Sequence, residues 1–151
     1  MWALRFRTMV ITAAIAAVPV HARAACTIIY TASLAFGTYD PFSSTPLDTT
    51  GSVWYTCTNS PGVTITVNTG SSGSYSQRTM RSGANTLGYN VYIDAARTMI
   101  WGDGTPPSVI GPGATTNFLG ITIATLYGRV PAGQDAVAGT FSDTLVLSVN
   151  F

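Results

Sequence analysis

Two stretches of the chain alternate between apolar and polar positions: residues 63–67 strictly, and residues 145–151 with Val146 as the one exception, which set Leu145, Leu147, Val149 and Phe151 on one face. A period of two belongs to a β-strand, whose successive side chains leave opposite faces. Runs of β-branched, aromatic and aliphatic residues predict further strands at 26–30, 53–57, 87–93, 98–101, 116–118 and 121–127. Between them, clusters of glycine, proline and serine at 70–73, 102–107 and 111–113 read as loops, because these residues supply positive or fixed φ. No segment after residue 24 has a helical period. About eight short strands with frequent turn signals predict an all-β fold, an immunoglobulin-like β-sandwich.

The amino terminus is patterned differently. Arg5 and Arg7 precede an apolar run over residues 9–18, Pro19 breaks it, and Ala22, Arg23 and Ala24 lead to a cut, which is the layout of a signal peptide over residues 1–24. The run is far shorter than the ~20 apolar residues of a spanning helix, and no second one follows. The expected mature chain, residues 25–151, is therefore a secreted single domain without stable membrane insertion. Cys26 lies close to the cut, but Arg23 stands where a lipid-attachment signal carries an apolar residue, which argues against lipidation.

Composition removes whole classes of function. Lysine and glutamate are absent, and the arginines of the mature chain, Arg78, Arg81, Arg97 and Arg129, are too scattered to form the basic face that nucleic acid requires. His21, the one histidine, lies in the signal peptide, which excludes Ser-His-Asp and Cys-His nucleophiles and histidine-ligated metals. Six carboxylates remain for a glycosidase pair, yet Asp40, Asp103 and Asp135 sit beside glycine, proline or glutamine in turn contexts. The expectation is a protein that is not an enzyme and needs no cofactor.

Cys26 and Cys57 in an exported chain most simply form one disulfide, because two cysteines without histidine make a poor metal site. Closing a loop of that size is worth roughly 3.5 kcal/mol in the chain-entropy model.

The last apolar position of the final strand is the last residue, Phe151. In a complete sandwich this strand simply lies between two others. If a neighbouring strand is missing, Leu145, Leu147, Val149 and Phe151 line an open groove, where burial against a partner strand contributes roughly 6 to 12 kcal/mol.

The chain resembles the spore coat protein U domain family, which includes subunits of archaic chaperone-usher pili of the Csu type. The resemblance covers essentially the whole mature chain. It is carried by Cys26 followed by Phe36-Gly37-Thr38-Tyr39-Asp40-Pro41, by Gly51-Ser52-Val53-Trp54-Tyr55-Thr56-Cys57, and by Arg78-Thr79-Met80. Further pieces are residues 87–94 (LGYNVYID), Trp101-Gly102-Asp103-Gly104, Tyr127-Gly128-Arg129-Val130-Pro131, Gln134, and residues 139–145 (GTFSDTL). It implies an incomplete sandwich lacking its last strand, with Cys26 bonded to Cys57. Its implied partners are a periplasmic chaperone, an outer-membrane usher, and a neighbouring pilus or coat subunit that donates the missing strand. Chaperone and donor strand would engage Leu145, Leu147, Val149 and Phe151, and Gly139 would permit the bend into that strand. Only Ala25 separates the expected cut from Cys26, so the expected role is that of strand acceptor and not donor.

A stand-alone adhesive or carbohydrate-binding module is the alternative, with Trp54, Tyr55, Tyr75, Trp101 and Tyr127 as surface aromatics. Of the adjacent pair Trp54 and Tyr55, at most one can face the core. Exposed aromatics clustered at one end would favour adhesion, and an open groove beside the final strand would favour assembly.

Overall fold

A computed structural model describes residues 24–58, 62–112 and 120–151. The strand predicted at 116–118, Gly113, and all of the expected signal peptide except Ala24 lie outside the described residues.

Nine strands and one short 3-10 turn, Gly70–Ser72, make up the described regular structure. In chain order the strands are β1 (Ala25–Ala32), β2 (Leu47–Thr58), β3 (Thr64–Val67), β4 (Arg78–Ser82), β5 (Asn85–Tyr92), β6 (Trp101–Gly102), β7 (Val109–Pro112), β8 (Thr122–Val130) and β9 (Leu147–Asn150). They form a five-stranded sheet in the order β1-β2-β8-β5-β4 and a four-stranded sheet in the order β6-β7-β3-β9. The pairing is antiparallel except between β6 and β7.

Period-two patterning explains the packing. On β8, Thr122, Ala124, Leu126, Gly128 and Val130 are buried while their neighbours are half-buried, and on β2 the side chain of Tyr55 is buried and that of Trp54 is exposed. β2 and β8 pair over nine positions, from Leu47↔Val130 to Tyr55↔Thr122, and form the centre of the larger sheet. Ile65 and Val67 of β3 reach the same core from the smaller sheet. Cys26 and Cys57 stand directly opposite each other in the β1–β2 register and are disulfide-bonded.

Two strands escaped the sequence pattern. β4 has a single apolar residue, Met80, and is stabilised by Arg78, whose side chain is 0% exposed. The Arg78 guanidinium donates to the Asn68 carbonyl (2.8 Å from Nη2), the Trp101 carbonyl (2.6 Å) and Asn90 Oδ1 (2.6 Å), joining both sheets. β7 includes Gly111 and Pro112, which the sequence placed in a loop. Gly111 is there for close approach: a Cβ would lie 2.4 Å from the Trp101 indole. Trp101 itself is 2% exposed and donates its ring N–H to the Ile65 carbonyl at 2.8 Å, so it caps the core and does not project from a loop tip. Of the strand expected at 98–101, only Trp101 lies in β6, because Asp94 captures the N–H groups of Thr98 and Met99 in a turn.

Candidate functional site

The segment after β8 switches sheets. Ser142 exchanges backbone hydrogen bonds with Arg81 of β4 (2.8 and 3.0 Å), and then β9 pairs with β3 from Val67↔Leu147 to Thr64↔Asn150. β9 ends the strand order of the smaller sheet, so one edge of it has no strand beside it among the described residues.

A cleft made of two adjoining cavities of about 650 and 600 Å³ lies there, with Leu34, Phe36, Met80 and Phe141 lining both. One wall is the chain leaving β1, with Leu34, Phe36 and Tyr39, and the opposite wall is the incoming final segment, with Phe141, Leu145 and Leu147. Its floor is the core: Val53, Met80, Leu87, Tyr89, Leu126 and Val130. These floor residues are 8% exposed or less.

Glycines set the depth of one wall. A Cβ on Gly128 would lie 2.8 Å from the Phe36 ring, and one on Gly51 would lie 2.6 Å from the Ala32 carbonyl oxygen and 3.3 Å from Leu34 Cδ2. Leu34 and Phe36 therefore sink into space that only glycine leaves open on β2 and β8. The wall ends at Tyr39, whose hydroxyl accepts the Gln134 N–H at 2.7 Å and donates to the Pro131 carbonyl at 3.2 Å. Pro131 follows the last residue of β8 and has no N–H with which to continue the ladder. The Gln134 side chain replaces that strand: its Oε1 accepts the Gly88 N–H and its Nε2 donates to the Gly88 carbonyl, both at 2.8 Å. Tyr39 is thus tied to the segment that follows β8, and that segment to β5.

The other wall is held by polar contacts from below. Asp143 accepts the Tyr89 hydroxyl (2.7 Å) and the Ser71 N–H (3.0 Å), and Asn68 Oδ1 accepts the Val146 N–H at 2.9 Å. Burial first, then the hydrogen bond to Asp143, pushes the Tyr89 phenol above its ordinary pKa, so it stays a neutral donor. Gly139 does not occupy a left-handed bend. A Cβ there would meet Ser82 Oγ at 2.7 Å, so the glycine lets the final segment pass close to the β4–β5 hairpin.

Of the residues singled out for the final face, Leu145 and Leu147 line the cleft and Val149 is half-buried against the core. Phe151 follows the last pair of β9 and is 56% exposed. Leu34, Phe36, Tyr39 and Phe141 are additional cleft residues, and Gln134 a residue that anchors Tyr39 beside the cleft, none of which the sequence pattern singled out for this role. Phe36, Tyr39, Phe141 and Gln134 all fall within the family-like pieces, which was the available signal; Leu34 carried none. The aspartates serve as turn and pairing groups. Asp40 accepts the Phe42 N–H (2.9 Å), Asp103 the Thr105 N–H (2.8 Å), and Asp48 lies in β2 with Arg129 bonded to it at 2.7 and 2.8 Å. Among the described residues no helix is long and apolar enough to cross a membrane.

The model of the Spore Coat Protein U domain family matches residues 11–148. The chain belongs to this family. Protein U of Myxococcus xanthus is 35% identical over 133 residues, covering 79% of this chain and 72% of its own length. A solved chain from the complex of a chaperone with a tip adhesion subunit, captured before assembly, of the archaic chaperone-usher Csu pili of Acinetobacter baumannii superposes with a TM-score of 0.58 at 22% identity. The match covers 85% of the present chain but only 40% of that one, so this Spore Coat Protein U domain spans well under half of the solved chain. The likeness is one of fold, an immunoglobulin-like sandwich. Within this family member, the sequence pieces behind the resemblance are largely scaffolding: Arg78 bolts the sheets, Gly51 and Gly128 admit the cleft wall, and Gln134 stands in for a strand.

Proposed function

We propose that the protein is a secreted, non-enzymatic structural subunit of a bacterial surface fibre or coat, and that its cleft receives an extended strand from a neighbouring subunit. A periplasmic chaperone would occupy the same cleft first, and an outer-membrane usher would pass the subunit to the cell surface. The observation that carries this is the position of β9: an unpaired strand edge, bordered by Leu145 and Leu147, opens onto a cleft floored by the core. An incoming strand would find backbone groups to pair with and apolar chambers for its alternate side chains, which is recognition by strand addition. The family membership supports a structural coat or pilus role. On this reading Leu145, Leu147 and Val149 present the accepting edge, and Phe151 becomes covered once the strand is seated.

The test is thermal unfolding of the mature chain, disulfide intact, with and without an excess of a synthetic alternating apolar peptide about ten residues long. Stabilisation that grows with peptide concentration is expected. A chain whose unfolding is indifferent to every such peptide is a finished sandwich and not a strand acceptor.

One observation favours the adhesive alternative: Tyr30 and Trp54 form an exposed edge-to-face pair, centroids 5.4 Å apart, on the outer side of the larger sheet. Glycan binding that disappears in Trp54→Ala would support it.

A further inference from the structure

The face of the larger sheet turned away from the core has a pattern of its own. On β2, Trp54, Ser52, Thr50 and Asp48 alternate with the buried Tyr55, Val53 and Gly51, so they leave the sheet on its outer side. Their partners on β8 are, in the same order, Ile123, Thr125, Tyr127 and Arg129. Only the row at Trp54 is apolar. The next two rows carry hydroxyls, and the last is the Asp48–Arg129 ion pair at 2.7 Å. The apolar row is built by a bulge: Ile28 opposes Tyr55, the register then skips Ile29, and Tyr30 comes to stand opposite Trp54 in its place. The two exposed rings meet edge to face, and the Trp54 N–H donates to Ser52 Oγ at 3.2 Å, which fixes the indole. No described residue hydrogen-bonds the Tyr30 hydroxyl.

We propose that this outer face binds a straight, neutral polysaccharide laid along β2, with one sugar ring stacked on Trp54 beside Tyr30 and the following rings hydrogen-bonded to Ser52, Thr125 and Thr50. The chemistry of the face selects this ligand. A pyranose ring has a C–H face that packs on an aromatic ring and a rim of hydroxyls that donate and accept, as serine and threonine hydroxyls do. A protein partner needs an apolar centre with a polar rim, whereas here the apolar side chains occupy one end. Asp48 is held by both Arg129 and Arg97, and Arg97 also donates to the Gly128 and Ala95 carbonyls, so these charges are engaged with the protein and not left for an acidic sugar. The row from Trp54 to Asp48 follows one strand for ~20 Å, which matches β-1,4-linked chains, whose rings lie flat and in line, better than coiled α-1,4-linked ones. The cleft lies on the inner side of the same sheet, so the site is independent of strand acceptance, and a subunit whose cleft is filled still presents it.

The experiment is an NMR titration of the mature, disulfide-bonded chain with cellohexaose, with N-acetylchitohexaose and, as the coiled contrast, with maltohexaose. From Ala25 onward the chain has two tryptophans, Trp54 and the buried Trp101, so one indole N–H signal reports the site and the other serves as an internal control. The Trp54 signal is expected to move with at least one β-1,4-linked hexasaccharide while that of Trp101 stays, and maltohexaose is expected to bind about tenfold more weakly. Trp54→Ala and Tyr30→Ala change exposed side chains. Followed through the Ser52 and Thr125 amides, each is expected to weaken binding about tenfold, and Trp54→Phe to retain most of it. The wild-type titration stands even if a variant fails to fold. A Trp54 signal unmoved by both β-1,4-linked hexasaccharides, equal binding of maltohexaose, or wild-type affinity in Trp54→Ala overturns the site. None of these outcomes touches strand acceptance, which the unfolding experiment with peptide decides on its own.

Discussion

Arg78 and Asn90, both buried, meet at 2.6 Å, and through this contact β4 is locked to β5 beneath the smaller sheet. Asn90 passes the connection on by donating to the Tyr75 carbonyl at 2.9 Å. Among the described residues no carboxylate is bonded to the Arg78 guanidinium; backbone carbonyls and the Asn90 amide oxygen solvate its charge. Burial pulls its pKa below the ordinary arginine value, while the phenols of Tyr89 and Tyr75 and then Asp143 push back.

Arg78→Met keeps the volume of the stem but leaves the Asn68 and Trp101 carbonyls and the Asn90 amide short of a partner. Urea unfolding is expected to show a loss of about 3 kcal/mol or more. Arg78→Lys should recover only part of it, since one ammonium cannot reach the acceptors served by the planar fork. Stability within about 0.5 kcal/mol of wild type in Arg78→Met would contradict the bolt.

How far the fold was legible follows from what each strand relies on. β3 and β9 turn one face toward the core, and the alternation in their sequences follows it, whereas β8 was legible as an apolar and β-branched run although its inward face is Thr122, Ala124, Leu126, Gly128 and Val130. β4 relies on a buried cation, which looks like a solvated residue in sequence, and β7 relies on a glycine that yields to the Trp101 ring. Neither cause leaves a period. The cleft was half legible: the pattern of residues 145–151 pointed to one wall, whereas the opposite wall comes from residues 33–39, which read as irregular chain. Phe151 fits the alternation but lies past the last pairing partner, an end effect that periodicity cannot encode.

Acid should weaken the fold through its paired aspartates. Arg129, by hydrogen bonding directly to it, holds the Asp48 carboxyl below the usual carboxylate range, and the Thr105 N–H does the same for Asp103. A carboxylate whose pKa is lower folded than unfolded contributes stability above the unfolded value, about pH 4, and loses it as pH falls through the folded one. From Ala25 onward there is no histidine, glutamate or lysine, and no described cysteine is free, so stability is expected to be flat from about pH 6 to 9. Unfolding of Asp48→Asn followed between pH 2.5 and 7 should show lower stability at neutral pH and a shallower acid limb. A limb as steep as wild type removes Asp48 from this role.

Gln134→Ala deletes the side chain that satisfies both backbone groups of Gly88 and one end of the tie to Pro131. A cost of about 1 to 3 kcal/mol is expected by denaturant unfolding. Gln134→Glu, which keeps an acceptor for the Gly88 N–H but no donor for its carbonyl, should be no milder than half of that. A neutral Gln134→Glu would show that the donated bond is dispensable.

Reducing the Cys26–Cys57 bond, or replacing both residues by serine, opens a loop with a sequence separation of 31 and is expected to cost roughly 3.5 kcal/mol. Because the two residues are already opposite in the β1–β2 register, serine pairs there without backbone movement. Comparing midpoints of the two forms in guanidinium gives the figure directly, and indistinguishable midpoints would count against it.

The pairing of β2 with β8 also governs how the chain reaches its fold. Leu47 waits for Val130 and Tyr55 for Thr122, so the central ladder of the larger sheet cannot begin until most of the polypeptide is present. Such distant closures make folding slow compared with a fold built from local hairpins. During that interval β9, which pairs with β3 on one edge and with no strand on the other among the described residues, has no completed larger sheet to pack against. The time spent in that state, more than the stability finally attained, sets the exposure to aggregation.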